Sequence, residues 1–350
     1  MEFNNLQISP HNWFVAARSD QLSAGTLLRR MILGRPYVLY RNAEHQAVAL
    51  EDSCPHKNLP LSMGTLVGDQ IQCRYHGWKI DQRGACTDVP CHAPDEKLPR
   101  CTVPSLHAIE QDDWIWVHLT EPYGSPARPP RHAKTPDHRW FELHNVMKAP
   151  VDLIVENGVD CGHTGFVHPG LYRSTPQQFI RALLKTTPTG VRIDTLEEQA
   201  QTGTRDFRSY LSRNQQITHS DELILPHTVR VVYTTAGGTA SRFGGLSVIT
   251  ILVCTPEDGD TTRVYTRMGV YYGYLTTPAT WFVERLTRNI VAQDKEVLEG
   301  QADNIRRFGE RRFRTVTADL PTGWVQRAIK QYNEGTFEAR DEVREISYKL

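Results

Sequence analysis

Between Trp13 and Leu119 the apolar residues come in short runs, TLLRRMILG, RPYVLYRN, QAVALED, DQIQCRY, GWKID and DDWIWVHL, broken by Gly, Asn and Asp. Short β-branched and aromatic runs bounded by turn-formers read as strands, so this stretch predicts a small antiparallel β domain. The pattern stops at EPYGSPARPPRHAKTP, where five prolines fall in sixteen positions, 121–136. Proline fixes φ and lacks an amide donor, so neither a sheet nor a helix continues through it. The expected division is a first domain over 1–122, a linker over 123–136 and a second domain over 137–350.

The second domain opens on IVENGVDCGHTGFVHPG, a helical start that closes at Pro169-Gly170, and returns to strands between 180 and 275, among them RVVYTT, LSVITILVC and RVYTRMGVYYGYL. From Thr277 the period changes to that of one long helix. Thr277 suits the N-cap, Pro278 the first turn, and Phe282, Leu286, Ile290, Val297 and Leu298 mark one face. A last helix is expected over 323–334. The class is α+β: an N-terminal antiparallel β domain, then a domain with a central antiparallel sheet flanked by helices.

Charge and cysteine usage narrow the partners. The chain has 350 residues, with 40 basic and 40 acidic side chains in balance. No run of five like charges forms a nucleic-acid or membrane footprint. The N-terminus has no basic and apolar leader, and no apolar run approaches the roughly 18 residues of a membrane span, so a cytoplasmic protein is expected. Seven cysteines, an odd number in a long chain, point to thiols with metal or structural roles. Cys86, Cys91, Cys101, Cys161 and Cys254 fit no motif and are read as buried structural thiols.

The exception is CPHKNLPLSMGTLVGDQIQCRYHGW, which sets Cys54-x-His56 sixteen residues before Cys73-x2-His76. Two thiolates and two imidazoles suit a tetrahedral zinc or a [2Fe-2S] cluster with Cys on one iron and His on the other. Zinc fingers usually pair Cys with Cys and His with His along the chain, whereas each loop here offers one of each. Pro55, Gly64, Tyr75, Gly77 and Trp78 would pack over the group and limit water access. The whole pattern, ending in YHGW, resembles the Rieske [2Fe-2S] domain. The resemblance makes Cys54, His56, Cys73 and His76 the cluster ligands, one cluster per chain. Lys57-Asn58 and Arg74 depart from the usual Arg-Gly and Pro, which bears on potential or docking and not on ligation.

A second constellation lies in NGVDCGHTGFVH, where His163 and His168 sit beside Asp160. One more carboxylate completes a two-histidine, one-carboxylate face that leaves positions open on ferrous iron. Asp294 continues the Phe282, Leu286, Ile290 stripe at i+4 spacing, and an acid on an apolar face needs a partner. Asp303 is the alternative acid. The other histidines, His219 among them, lack partners at metal spacing.

These features resemble the catalytic domain of Rieske non-haem iron oxygenases, with their N-x2-D-x2-H-x4-H motif and a helical Asp about 120 residues later. The resemblance, which spans nearly the whole chain, makes His163, His168 and Asp294 the ligands of a mononuclear Fe(II), Asp160 the bridge between metal centres and Asn157 a supporting residue. It implies a terminal oxygenase that uses O2 to hydroxylate or oxidatively demethylate an aromatic or polycyclic small molecule. No G-x-G-x-x-G follows a strand, so electrons from NAD(P)H must arrive through a separate reductase, with or without a ferredoxin. At about 350 residues the chain resembles the subgroup of vanillate and dicamba O-demethylases and steroid hydroxylases, which implies a head-to-tail homotrimer. The alternatives are a Rieske-type electron carrier with a non-catalytic C-terminal binding domain and a zinc-stabilised binding module.

Overall fold

The computed structural model describes residues 8–91, 93, 96–119, 127–169, 179–199, 216–236, 245–340 and 342–349; the first four residues of the expected linker, 123–126, and Gly170 lie outside them. The chain divides into two compact units. One holds Ser9–Ala133 with Thr255–Gly259, and the other holds Lys134–Cys254 and Asp260–Leu350.

The first unit contains two sheets. Six strands, β1 (Trp13–Arg18), β2 (Leu28–Ile32), β3 (Arg35–Arg41), β4 (Ala47–Glu51), β9 (Ser105–Gln111) and β10 (Trp114–His118), are ordered β1-β10-β9-β4-β3-β2. Four shorter strands, β5 (Thr65–Val67), β6 (Gln70–Gln72), β7 (Lys79–Ile80) and β8 (Cys86–Asp88), make a second sheet in chain order. Val38, Tyr40 and Leu50 from the larger sheet pack with Leu61, Ile71, Ile80 and Val103, and this shared core also contains the Cys54 and Cys73 thiols. The smaller sheet thus carries its loops on a rigid base.

The second unit is built on eight strands: β11 (Arg139–Met147), β12 (Phe179–Thr187), β13 (Gly190–Gln199), β14 (Gln216–Ile224), β15 (Thr228–Ala236), β16 (Ser247–Pro256), β17 (Thr262–Tyr271) and β18 (Val343–Lys349). Their order is β11-β17-β16-β15-β14-β13-β12-β18, a large antiparallel sheet. Among the described residues its helices are α1 (Val151–Val159), α2 (Thr164–Val167), α3 (Thr276–Phe308) and α4 (Leu320–Asn333). The C-terminal β18 closes the β12 edge in register from Phe179↔Lys349 to Lys185↔Val343, which covers otherwise unpaired backbone groups.

The long helix differs from the expected one at its start and at two of the five positions of its expected stripe; Leu298 is buried and Leu286 and Ile290 line a cavity. It begins at Thr276, after an N-terminal turn tied by the Thr276 hydroxyl, which accepts from the Tyr272 amide and donates to the Gly273 carbonyl. The buried positions are Thr280, Val283, Thr287, Leu298 and Ala302. Phe282 and Val297, expected inside, are 49% and 47% exposed. The cause is the neighbour: Val283 and Ala279 pack against Met268, Val270 and Tyr272 of the sheet side. That face takes small side chains and threonines, whose methyl groups a hydrophobicity count overlooks, and the bulky Phe282 turns away. Asp294 remains on the buried side, in phase with Thr287 and Leu298. The last helix starts at Leu320, three residues before the expected 323, with Pro321 in the first turn, where its missing amide is harmless.

Candidate metal centres and a lined cavity

The two loops between the strands of the first unit close in the same way. The Cys54 amide donates to the Leu59 carbonyl at 2.9 Å and the Asn58 amide to the Cys54 carbonyl at 2.9 Å; the Cys73 amide donates to Trp78 at 2.8 Å and the Gly77 amide to Cys73 at 3.0 Å. Each loop is therefore a five-residue return with its fourth residue after the cysteine in the left-handed region, Asn58 at φ 56° and Gly77 at φ 74°. Asn is the side chain that tolerates this conformation best after Gly, which explains why Asn58 can stand where the Rieske pattern commonly has Gly. An Asn58→Gly protein should keep its unfolding temperature to within the shift expected of about 0.5 kcal/mol, and Asn58→Val should lose about 1–2 kcal/mol. Thermal melts of the two variants check this.

The loops bring four donors together. Cys54 and Cys73 are 2% and 3% exposed. Burial raises the Cys54 thiol, with the neighbouring Cys73 adding to the effect. The His56 and His76 rings lie 4.5 Å apart, His56 stacks on Trp78 at 4.7 Å, and Tyr75 sits over His76 at 3.9 Å. His56 Nδ1 is buried without a hydrogen-bond partner. Two sequestered thiols and an orphaned imidazole nitrogen fit a [2Fe-2S] group with mixed ligands. A Cβ on Gly64 would come 2.3 Å from the Gln72 carbonyl, so only glycine fits where the chain that follows the first loop passes the residue before Cys73.

In the second unit α1 ends at Asp160, whose Oδ1 accepts the Gly162 amide at 2.7 Å and turns the chain into His163. Asp160 therefore caps the end of a helix and not its start. His163 Nε2 and His168 Nε2 face Asp294 Oδ1 at 3.5 and 3.0 Å. One ligand atom from each of the three lies within 4.8 Å of the others. His168 Nε2 and Asp294 Oδ1 are nonetheless buried with no aligned hydrogen bond. Buried polar atoms held this close without hydrogen bonds fit a cation between them, and two imidazoles with a carboxylate suit ferrous iron. Asp303, the alternative acid, pairs with Arg306 and Arg307 on the exposed side of α3.

The surroundings orient these groups. His168 Nδ1 meets Gln293 Oε1 at 2.9 Å, which as an acceptor fixes the proton on Nδ1 and leaves Nε2 free to ligate. Gln293 was invisible as a site residue in the sequence, since only its position beside Asp294 marks it. Asp160 Oδ2 is 3.6 Å from His163 Nδ1, an ion-pair distance that falls short of a hydrogen bond. Burial alone would depress His163, but Asp160 and Asp294 together raise it to about 9. Burial likewise opposes ionisation of Asp294, and the two imidazoles hold its carboxyl below the ordinary value of 3.8.

Asp152, Glu156 and Asp160 follow at i+4 spacing along α1. Asp152 is 2% exposed and pairs with Arg311, and Glu156 accepts from Gln326 Nε2 at 2.6 Å. Burial pushes Glu156 from 4.5 up to about 7; Gln326 and Arg311 oppose the rise, and Asp152 and Asp160 add to it. A folded-state value above the unfolded one means stability present below about 4.5 that is lost as pH rises through about 7. Glu156→Gln keeps the Gln326 bond and removes the ionisation, so urea midpoints of variant and wild type should agree at pH 4.5 and diverge towards pH 8, with the variant more stable by on the order of 2–3 kcal/mol.

The two imidazoles and Asp294 open onto a cavity. Leu246, Val248, Thr250 and Leu252 of the segment LSVITILVC line it from one side, with Val231, Tyr233 and Met268, while Val283, Leu286, Ile290 and Val291 line it from α3. The alternate residues Ile249, Ile251 and Val253 are buried on the other face of the sheet, so this segment serves both core and cavity. Of MGVYYGYL only Met268 reaches the cavity. Cys161 also lines it and touches His219 and Asp221, a polar cluster that sequence spacing could not show because its members lie 58 and 60 residues apart.

Comparison with known proteins identifies the class. Residues 12–107 match the Rieske [2Fe-2S] domain, and residues 147–334 match the vanillate O-demethylase oxygenase C-terminal domain. The chain belongs to the Rieske non-haem iron oxygenases, in the family defined by that C-terminal domain. Among its relatives, the oxygenase component of dicamba O-demethylase from Stenotrophomonas maltophilia is 35% identical over 159 residues, 45% of this chain and 46% of that protein. The iron-sulfur subunit TsaM1 of the toluene-4-sulfonate monooxygenase system of Comamonas testosteroni is 29% identical over 186 residues, 51% of this chain and 52% of that protein. The chain thus matches about half the length of these curated relatives. Among solved structures, dicamba monooxygenase bound to 3,6-dichlorosalicylic acid shares the fold with a TM-score of 0.78 at 21% identity, over 94% of this chain and 98% of that one. Among the described residues no helix is long and apolar enough to cross a membrane.

Proposed function

We propose that this chain is the terminal oxygenase component of a multicomponent Rieske monooxygenase. In this reading residues 1–122 form the Rieske domain, 123–136 the linker and 137–350 the catalytic domain; Cys54, His56, Cys73 and His76 hold the cluster, and His163, His168 and Asp294 hold Fe(II). The observation that carries it is the convergence of three ligand atoms, two of them buried without hydrogen bonds, at the wall of an apolar cavity. An electron carrier has no use for such a cavity.

Bound at these residues, the cluster would supply single electrons and the iron would activate O2 for attack on a C–H bond. The chain's own part is positional. Gln293 fixes the His168 tautomer and ring plane. The aliphatic walls from Leu246, Leu252, Ile290 and Val291 exclude water and hold an aromatic or polycyclic body with one carbon beside the metal-facing nitrogens. Asp160, 3.6 Å from His163 Nδ1, would link this site to the His76 side of a neighbouring chain's cluster. A closed head-to-tail homotrimer would let one chain's cluster serve the next chain's iron through a repeated heterologous contact. Electrons would come from NAD(P)H through a reductase, with or without a ferredoxin, in the cytoplasm.

Asp160→Asn tests this arrangement. The variant should load both metals, accept the first electron at an unchanged potential, and turn over about 10–100-fold more slowly. Iron content, redox titration and oxygen uptake with reductase are the measurements. Wild-type protein that loads iron and takes reducing equivalents yet oxidises no member of a panel of aryl methyl ethers and polycyclic substrates would remove the oxygenase reading.

A further inference from the structure

The cavity contains one polar cluster that the metal site does not use. Asp221 on β14 is 2% exposed. Its Oδ1 accepts from His219 Nε2 at 2.9 Å and its Oδ2 from the Cys161 thiol at 3.2 Å. The His219 ring stacks on Tyr233 with centroids 4.0 Å apart and planes 13° from parallel, and its Nδ1 lies 3.5 Å from Thr195 Oγ1. Asp221, Cys161 and Tyr233 all line the cavity. The carboxylate is thus held in one orientation by groups that are themselves packed.

A buried carboxylate among apolar walls costs several kcal/mol unless it is well bonded, and an apolar residue of similar size is often no less stable. Folding alone therefore gives little reason for an acid here. An ionised carboxylate has about four acceptor sites; the His219 and Cys161 donors occupy one on each oxygen, which leaves acceptor capacity on the group that faces the cavity. The charge balance points the same way. Among the described residues that line the cavity there is no Lys or Arg, and besides Asp294 the acids are Asp160 and Asp221. Away from the three residues read as iron ligands, an organic anion would meet two carboxylates and, among the described residues, no Lys or Arg, whereas a hydroxyl or N–H would meet a ready acceptor.

We infer that Asp221, oriented by His219 and Cys161, is the recognition group for a hydrogen-bond donor on the substrate, so that the cavity takes a neutral or cationic molecule with an apolar body, a phenol, alcohol or amine, in preference to a carboxylate or sulfonate. The inference rests on the oxygenase reading only in calling the bound molecule a substrate. His219 and Cys161 are positioning residues. The alternative use of the same three side chains, a further metal, is a separate outcome below.

Calorimetric titration of the iron-loaded, oxidised protein under nitrogen with three probes of one shape, 2-naphthol, 2-methylnaphthalene and 2-naphthoate, tests it without turnover. The expected order has 2-naphthol about tenfold or more tighter than 2-methylnaphthalene, as one hydrogen bond to a charged group gives, with 2-naphthoate weakest. Asp221→Leu should erase the advantage of 2-naphthol. Asp221→Asn, which keeps size and polarity, should bring 2-naphthoate to within about threefold of 2-naphthol. Wild-type protein that binds 2-naphthoate as tightly as 2-naphthol, or binds none of the three, overturns the inference, as does a stoichiometric metal beyond the irons of cluster and mononuclear site that is lost in Asp221→Leu. Iron content and oxygen uptake on the same samples keep the two readings apart. Iron and turnover without the probe order remove only the recognition role, and the probe order without mononuclear iron removes only the oxygenase.

Discussion

An Asp294→Ala protein should contain about two irons per chain where wild type contains about three, keep the visible spectrum of its cluster, and show no turnover above background. The effect is large because of where the residue stands. Asp294 Oδ1 is 3.0 Å from His168 Nε2 and 3.5 Å from His163 Nε2, and it is the only acid in that group of three. Two neutral imidazoles without the carboxylate give the ion neither a third bond nor charge balance. The loss should be local, because the same helix position faces a cavity and not a packed core. Iron assay, absorbance and oxygen uptake decide it; a variant that keeps its third iron and its activity shows that another acid holds the metal.

The complementary substitution, Cys73→Ser, should leave about one iron per chain and a colourless protein. Cys73 is 3% exposed and its thiol belongs to the core formed by Val38, Tyr40, Leu50, Ile71 and Ile80. A serine hydroxyl there is a poor ligand for a cluster and a buried polar group with no assured partner. The first unit should therefore lose both its irons and part of its stability, while the mononuclear site in the other unit loads as before. Retention of the visible spectrum in Cys73→Ser, or loss of all three irons, is the result that breaks the assignment of two independent centres.

The centres were legible in the sequence to different degrees, for a physical reason. Cys54, His56, Cys73 and His76 lie on two short loops, so their geometry is set within six residues and local spacing carries it. Asn58 and Gly77 show this most plainly, since each marks the left-handed position of its loop. His163 and His168 are likewise local. Asp294 was read from a helical stripe of Phe282, Leu286 and Ile290; Leu286, Ile290 and Asp294 line the cavity together, whereas Phe282 and Val297 of the same stripe point outward. The sequence had no means to show Gln293, Asp221 or His219 as site residues, because their roles come from strand and helix packing across long separations. β9 and β18 went unread for another reason. In β18 only Ile346 and Tyr348 are buried, and in β9 only Gln111, so neither strand carries the apolar run that marks the others.

The division of labour around the cavity has an evolutionary consequence. The residues placed to grip metal come from the two ends of α2 and from one position on α3, whereas much of the wall comes from alternate residues of β14–β17. Strand side chains that face the cavity can be exchanged without moving the helical frame, so a lineage with this architecture can drift from one compound to another while its oxygen chemistry stays fixed. Cys161 is where that freedom narrows. It sits two residues before His163 and bonds to Asp221 on the wall, so a change in what Asp221 recognises is felt in the segment that leads into the histidines, and acquiring a new substrate at that point should require paired substitutions.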